Sequence, residues 1–103
     1  MPDYLKSVED YEMVIAGNGS IMIVYGSSWC FPCKAISPFL GELEKKYSTL
    51  KFYKVDVDDL GDIAAMNDIE CMPTFILYKN GKEIERLMGA NKEKLEELVK
   101  KNI

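Results

Sequence analysis

Apolar positions change their spacing repeatedly along this chain, and each change marks an element. Tyr4 to Lys6 are too few to show a period and read only as a short edge strand. Val8, Tyr11, Val14 and Ile15 recur at helical spacing behind Ser7, which has an N-cap side chain and acidic residues after it. Gly17-Asn18-Gly19 stops that helix. Ser20 to Tyr25 then carries an unbroken β-branched and apolar run, the pattern of a buried strand, and Gly26-Ser27-Ser28 ends it. From Pro32 to Tyr47 the period is helical again, with Ala35, Ile36, Phe39, Leu40 and Leu43 on one broad face. Pro38 inside it removes a backbone bond and is expected to bend it. Lys51 to Val57 reads as a strand, with Phe52, Val55 and Val57 apolar. Leu60 to Asn67 reads as a short helix with Ile63, Ala64 and Met66 facing inward. Phe75 to Tyr78 is a strand, Asn80-Gly81 a hairpin turn and Glu83 to Met88 the returning strand. Gly89-Ala90 breaks it, and Asn91 caps a last helix with Leu95, Leu98 and Val99 inward.

The early alternation of strand and helix demands parallel pairing through crossovers, whereas the closing hairpin is antiparallel. The expected architecture is therefore α/β, with a mixed sheet and helices on both faces. A chain of 103 residues is expected to be one domain spanning 1–103, with no repeat, linker or low-complexity segment. Apolar residues make up 48% and the net charge is −4, ordinary for a soluble protein. No basic patch stands out, so nucleic acid is not an expected partner, and no apolar run approaches a membrane span. Met1 to Lys6 resembles neither a signal peptide nor a transit peptide, which points to the cytoplasm, with the nucleus also open.

The chemistry concentrates at Trp29-Cys30-Phe31-Pro32-Cys33-Lys34, where the buried strand hands over to a helix. Two cysteines at this spacing share a helical turn, and can close as a small disulfide ring or open to attack another disulfide. First-turn N–H groups lack partners within the helix, and the macrodipole adds positive character there. That favours a thiolate at Cys30 by about 0.3–1 kcal/mol, less than one pKa unit. A bond from the Cys33 thiol would have to add the rest. Pro32 suits a first turn, since it lacks an N–H where none is needed. The handover is expected to expose Cys30 and leave Cys33 more buried. Zinc needs about four ligands, and with no histidine and only Cys71 in reserve no metal site is expected. Asp56, Asp58 and Asp59 read as a solvated strand end.

Together with Met72-Pro73-Thr74, about forty residues on and followed by a strand and hairpin, the dithiol motif resembles the thioredoxin family. Lys54-Val55-Asp56-Val57-Asp58-Asp59, Cys71-Met72-Pro73-Thr74-Phe75 and Gly89-Ala90-Asn91-Lys92 look like its cytosolic animal-type members. The similarity covers essentially the whole chain. It implies a central mixed sheet of five strands flanked by four helices, β-α-β-α-β-α-β-β-α. It also implies reduction of disulfides in other proteins and cytosolic redox homeostasis. Cys30 would attack the substrate disulfide and Cys33 would resolve the mixed disulfide, leaving a redox-active Cys30–Cys33 bond. No bound cofactor is implied. Electrons would come from NADPH through a thioredoxin reductase, and the clients would be disulfide-containing proteins of the peroxiredoxin kind.

The resemblance assigns further roles. Trp29, Phe31, Met72, Pro73, Gly89 and Ala90 would form the substrate-binding surface, with Pro73 in cis and the Met72 backbone pairing with an extended client segment. Pro32, Lys54 and Asp58 would tune the dithiol, with Asp58 near Trp29. Two positions depart from the family pattern. Val24 stands where members carry a buried aspartate that takes the proton of the second cysteine, so resolution is expected to slow. Phe31 stands where glycine is usual and is expected to alter partner choice. Cys71 is either a packing cysteine or a second redox thiol that links an otherwise monomeric chain into a dimer on oxidation. A thioredoxin-fold binding or redox-regulatory module with weak turnover is the alternative reading, and a donor dedicated to one reductase or peroxidase a third.

Overall fold

In the computed structural model, which describes residues 3–103, strands and helices alternate in the order β1 (Asp3–Tyr4), α1 (Val8–Ala16), β2 (Ser20–Gly26), α2 (Phe31–Lys46), β3 (Lys51–Asp56), α3 (Gly61–Met66), β4 (Thr74–Lys79), β5 (Lys82–Met88) and α4 (Lys92–Lys100). The reading of the N-terminus at Met1 and Pro2 lies outside the described residues. The strands form one mixed five-stranded sheet in the order β1-β3-β2-β4-β5. β3 runs parallel to β1 and β2, whereas β4 runs antiparallel to β2 and β5.

β2 is apolar throughout because both of its faces are covered. Met22 and Val24 point into a core with Ile36, Leu40 and Leu43 of α2 and Leu95, Leu98 and Val99 of α4. Ile21, Ile23 and Tyr25 point the other way, into a core with Tyr11 of α1 and Ile63 of α3. The period-two alternation of a strand thus feeds both layers from one segment. Ser7 Oγ accepts the Asp10 N–H at 3.1 Å and Asn91 Oδ1 accepts the Lys94 N–H at 3.0 Å, so both N-caps form as their side chains dictate. At the β4–β5 turn Asn80 and Gly81 both take positive φ, 54° and 82°, which this residue pair tolerates and most others resist.

Several details differ from expectation. α2 begins at Phe31 rather than Pro32. Ala35 is exposed, because Ile36, Leu40 and Leu43 set the inward stripe and Ala35 falls outside it. β3 ends at Asp56, although Val57 still donates its N–H to Gly26 O at 2.9 Å and packs on the core. Met66 faces outward, 61% exposed. The neighbouring Asn67 turns its amide inward to Tyr11 and Tyr78 instead, and in so short a helix only Ile63 is fully buried.

Candidate active site

The dithiol loop grows from the end of β2, the central strand. Ser27 O accepts the Cys30 N–H at 3.3 Å, which closes a turn and delivers Cys30 to the N-cap of α2. Cys30 Sγ accepts the Cys33 N–H at 3.2 Å, so a first-turn donor that the helix cannot satisfy is satisfied by sulfur. Cys30 and Cys33 are joined as a disulfide. A thiolate at Cys30 would keep the same donor, and hydrogen bonding to the charged form favours that form.

The expected exposures are reversed in this oxidised state. Cys30 is only 5% exposed and Cys33 is half-buried. Cys30 folds its sulfur back over the first turn, against the Cys33 N–H and the Cys33 sulfur. Its neighbours in the chain do the opposite: Trp29 is 66% and Phe31 79% exposed. Cys33 rests on the sheet. A Cβ built on Gly26 would lie 2.9 Å from Cys33 Sγ, so the glycine makes the room that the sulfur occupies. Cys33 also borders a cavity of about 680 Å³ that Val24, Ser27, Ser37 and Lys54 help to line.

The remaining residues singled out from the sequence fall as follows. Trp29 Nε1 donates to Asp58 Oδ2 at 2.8 Å, which ties the indole to the turn that follows β3. The Met72–Pro73 bond is cis, with Pro73 buried and Met72 half-buried. Pro73 O accepts the Gly89 N–H at 2.8 Å, which brings the segment before β4 and the end of β5 together. Gly89 is half-buried, whereas Pro32, Cys71 and Ala90 are exposed, and Cys71 is a free thiol. Lys54 sits beside Val24 in the β2–β3 register and donates to Ser37 Oγ at 2.7 Å. Burial pushes its ammonium below the usual lysine range.

With this geometry the chain matches the thioredoxin family model over residues 4–101. This chain belongs to the thioredoxin family. It is 46% identical to chicken (Gallus gallus) thioredoxin over 89 residues, which is 86% of this chain and 85% of that one. Horse (Equus caballus) thioredoxin is 46% identical over 95 residues, 92% of this chain and 90% of its own. The structure of Plasmodium falciparum thioredoxin superposes with a TM-score of 0.96 at 36% identity, covering 98% of this chain and 99% of that one. The mixed five-stranded sheet with four helices is the thioredoxin fold. A member of this family with the Cys30–Cys33 pair is a dithiol protein-disulfide reductase, a thiol-disulfide oxidoreductase that acts on disulfide-containing client proteins. The family needs no bound cofactor, and no cluster of metal-ligating side chains occurs among the described residues.

Sequence reasoning missed three residues beside the dithiol. In the sequence Gly26 marks only the end of a strand, yet its lack of a side chain seats Cys33. Ser37 lies four positions after Cys33 in α2, a spacing that puts two residues on one helical face and was available as a signal. Ser27 Oγ is buried without a hydrogen-bond partner among the described residues, and no spacing in a loop could have revealed it.

Proposed function

We propose that Cys30 is the attacking thiol and Cys33 the resolving one, in a chain whose residues 1–103 act as one domain. The observation that carries this is the Cys33 N–H bonded to Cys30 Sγ at the start of α2. It favours ionisation at Cys30, while Cys33 is held against Gly26 on the sheet side. The Cys30 thiolate attacks one sulfur of a client disulfide, a Cys30–client bond forms, and the other client sulfur leaves as thiolate. Cys33, as thiolate, then attacks Cys30 Sγ. The Cys30–Cys33 bond forms and the second client thiolate departs, so two electrons pass from the dithiol to the client.

Clients of the peroxiredoxin kind would lie along Trp29, Phe31, Met72, Pro73, Gly89 and Ala90. There the Met72 backbone offers strand-like pairing and the small residues Gly89 and Ala90 leave room for it. A thioredoxin reductase drawing on NADPH would reopen the Cys30–Cys33 bond. Pro32, Lys54 and Asp58 would tune the couple. The chain would work as a monomer in the cytoplasm, with the nucleus also open, and without nucleic-acid or membrane partners. The exposed free thiol of Cys71 would link two copies on oxidation.

Turbidimetric reduction of insulin tests the assignment. The wild type should precipitate insulin under a chemical reductant. Cys30→Ser and Cys33→Ser should both fall to the uncatalysed rate, and only Cys33→Ser should accumulate a mixed disulfide with its client. A client trapped on Cys33 in Cys30→Ser would reverse the roles. Val24, in the place of the family's aspartate, favours a second reading, a binding or redox-regulatory module with weak turnover. Tight client capture with no insulin reduction by the wild type would select it.

A further inference from the structure

None of the residues of the proposed client surface lines the cavity that Cys33 borders. Its volume of about 680 Å³ lies in the range of small-molecule sites, about 300–1,000 Å³. Val24, Leu40 and Val55 give it buried apolar walls. Such sites combine apolar walls with a few polar groups that fix a ligand, and two donors here have capacity to spare. Ser27 Oγ is buried and has no hydrogen-bond partner among the described residues. Lys54 is half-buried, and its Nζ donates to Ser37 Oγ at 2.7 Å and lies 5.5 Å from the centre of the Tyr4 ring. An ammonium has three N–H donors, and no acidic side chain pairs with this one among the described residues. We propose that this cavity binds a free medium-chain alkanoate, with its carboxylate on Lys54 Nζ and Ser27 Oγ and its hydrocarbon chain against Val24, Leu40 and Val55.

A cation held away from water without a counter-charge is costly, and burial already pushes the Lys54 ammonium downward. A ligand carboxylate supplies the missing charge and accepts from both donors. It also satisfies the Ser27 hydroxyl, which otherwise stays buried and unpaired. Val24 matters twice. It lies beside Lys54 in the strand register and makes that wall apolar, and it stands where the family pattern has a carboxylate. The anion is therefore brought by the ligand rather than by the chain. The charged groups bordering the cavity are Lys34, Lys54 and Asp56, two cations against one anion, which favours a negative ligand over a positive one. Asp56 Oδ1 already accepts the Asp58 N–H at 2.9 Å. The walls are aliphatic, and the aromatic ring at the cavity, Tyr4, is 56% exposed and sits on the Lys54 cation, so an alkyl chain fits better than a second ring. Binding makes and breaks no covalent bond and does not depend on which cysteine attacks, so it goes beyond the proposed exchange.

The test is a titration of the oxidised, isotope-labelled chain with sodium octanoate at neutral pH, followed by amide chemical shifts. Octanoate should bind saturably and shift Val24, Ser27, Ser37 and Lys54 most. Octanol, with the same chain and no charge, should bind about tenfold more weakly, and octylammonium should not bind. Hexanoate should lose up to about fourfold in affinity for each methylene removed. Lys54→Met should weaken octanoate about tenfold and erase its advantage over octanol, whereas Lys54→Arg should keep both. Ser27→Ala should weaken octanoate about fivefold. Val24→Asp sets a carboxylate of the chain's own beside Lys54 and should abolish binding. Circular dichroism should confirm that each variant is folded. The ligand series needs no variant, and octylammonium binding as tightly as octanoate would overturn the proposal. So would the lack of saturable octanoate binding, or binding undiminished by Lys54→Met. Shifts centred on Trp29, Phe31 and Met72 would also overturn it, by placing the alkanoate on the client surface.

Discussion

Gly26 and Cys33 show how closely the dithiol is fitted to the sheet. Besides its 2.9 Å approach to Cys33 Sγ, a Cβ at Gly26 would lie 3.4 Å from Cys33 Cβ. In the oxidised protein that sulfur is bonded to Cys30 and has little freedom to move, whereas a reduced Cys33 thiol can rotate away. Gly26→Ala is therefore expected to destabilise the oxidised form by about 1–3 kcal/mol, the usual cost of overpacking, and the reduced form by less. Thermal midpoints with and without reductant measure the difference, and equal losses in both would place the contact elsewhere. The Cys30–Cys33 pair was legible in the sequence from residue type and separation, whereas the cis bond before Pro73 and the nearness of Asp58 to Trp29 were legible only through the family resemblance. The exposure of Cys30 was not, because it is set by a side-chain rotation back over the first turn of α2.

Between elements, a directed chain of hydrogen bonds joins β2 and β4 to α3 and α1. Tyr25 OH and Tyr78 OH lie 2.7 Å apart, Tyr78 OH donates to Asn67 Oδ1 at 3.0 Å, and Asn67 Nδ2 donates to Tyr11 OH at 3.1 Å. Arg86 Nη1 adds a bond to Asn67 O at 2.9 Å, so β5 joins the same network. Burial pushes both the Tyr25 and the Tyr78 phenol well above their ordinary value of 10.0. The unfolded chain releases these protons near that value while the folded chain retains them. The stabilisation is thus complete below about pH 10 and is lost as the pH rises beyond it. Tyr78→Phe deprives the Tyr25 hydroxyl of its Tyr78 partner and leaves Asn67 Oδ1 only the longer bond from Tyr11 OH at 3.4 Å, and is expected to cost about 1–3 kcal/mol at neutral pH. It should also make the alkaline loss shallower. Urea midpoints from neutral to alkaline pH test both, and an unchanged alkaline slope would exclude the pair as its cause. Tyr11 falls at the helical spacing of α1 and Tyr78 ends the apolar run of β4, but neither pattern reveals the amide that joins them. Asn67 read as a helix end, and its inward turn follows from α3 stopping at Met66.

For the molecule as a whole, strand and helix order was legible, because each change of period is local and the Asn80-Gly81 turn dictates its own geometry. The mixed pairing followed from that order. The position of β2 at the centre was legible only as an unbroken apolar run, which says that a strand is covered on both faces but not which strands flank it. β3 on one side and β4 on the other supply that answer. The edges carry less: β1 has two residues, and most of β5 is exposed or half-buried.

That arrangement bears on how the protein loosens. Hydrogen–deuterium exchange should find Met22, Ile23 and Val24 among the slowest amides, released only through global opening, while β1 and the outer side of β5 exchange early. Rapid exchange across Met22 to Val24 under native conditions would show that the centre is not the most protected part. A reactive loop moored to the last strand to let go stays set for its chemistry while the margins of the molecule breathe, and is lost only with the fold.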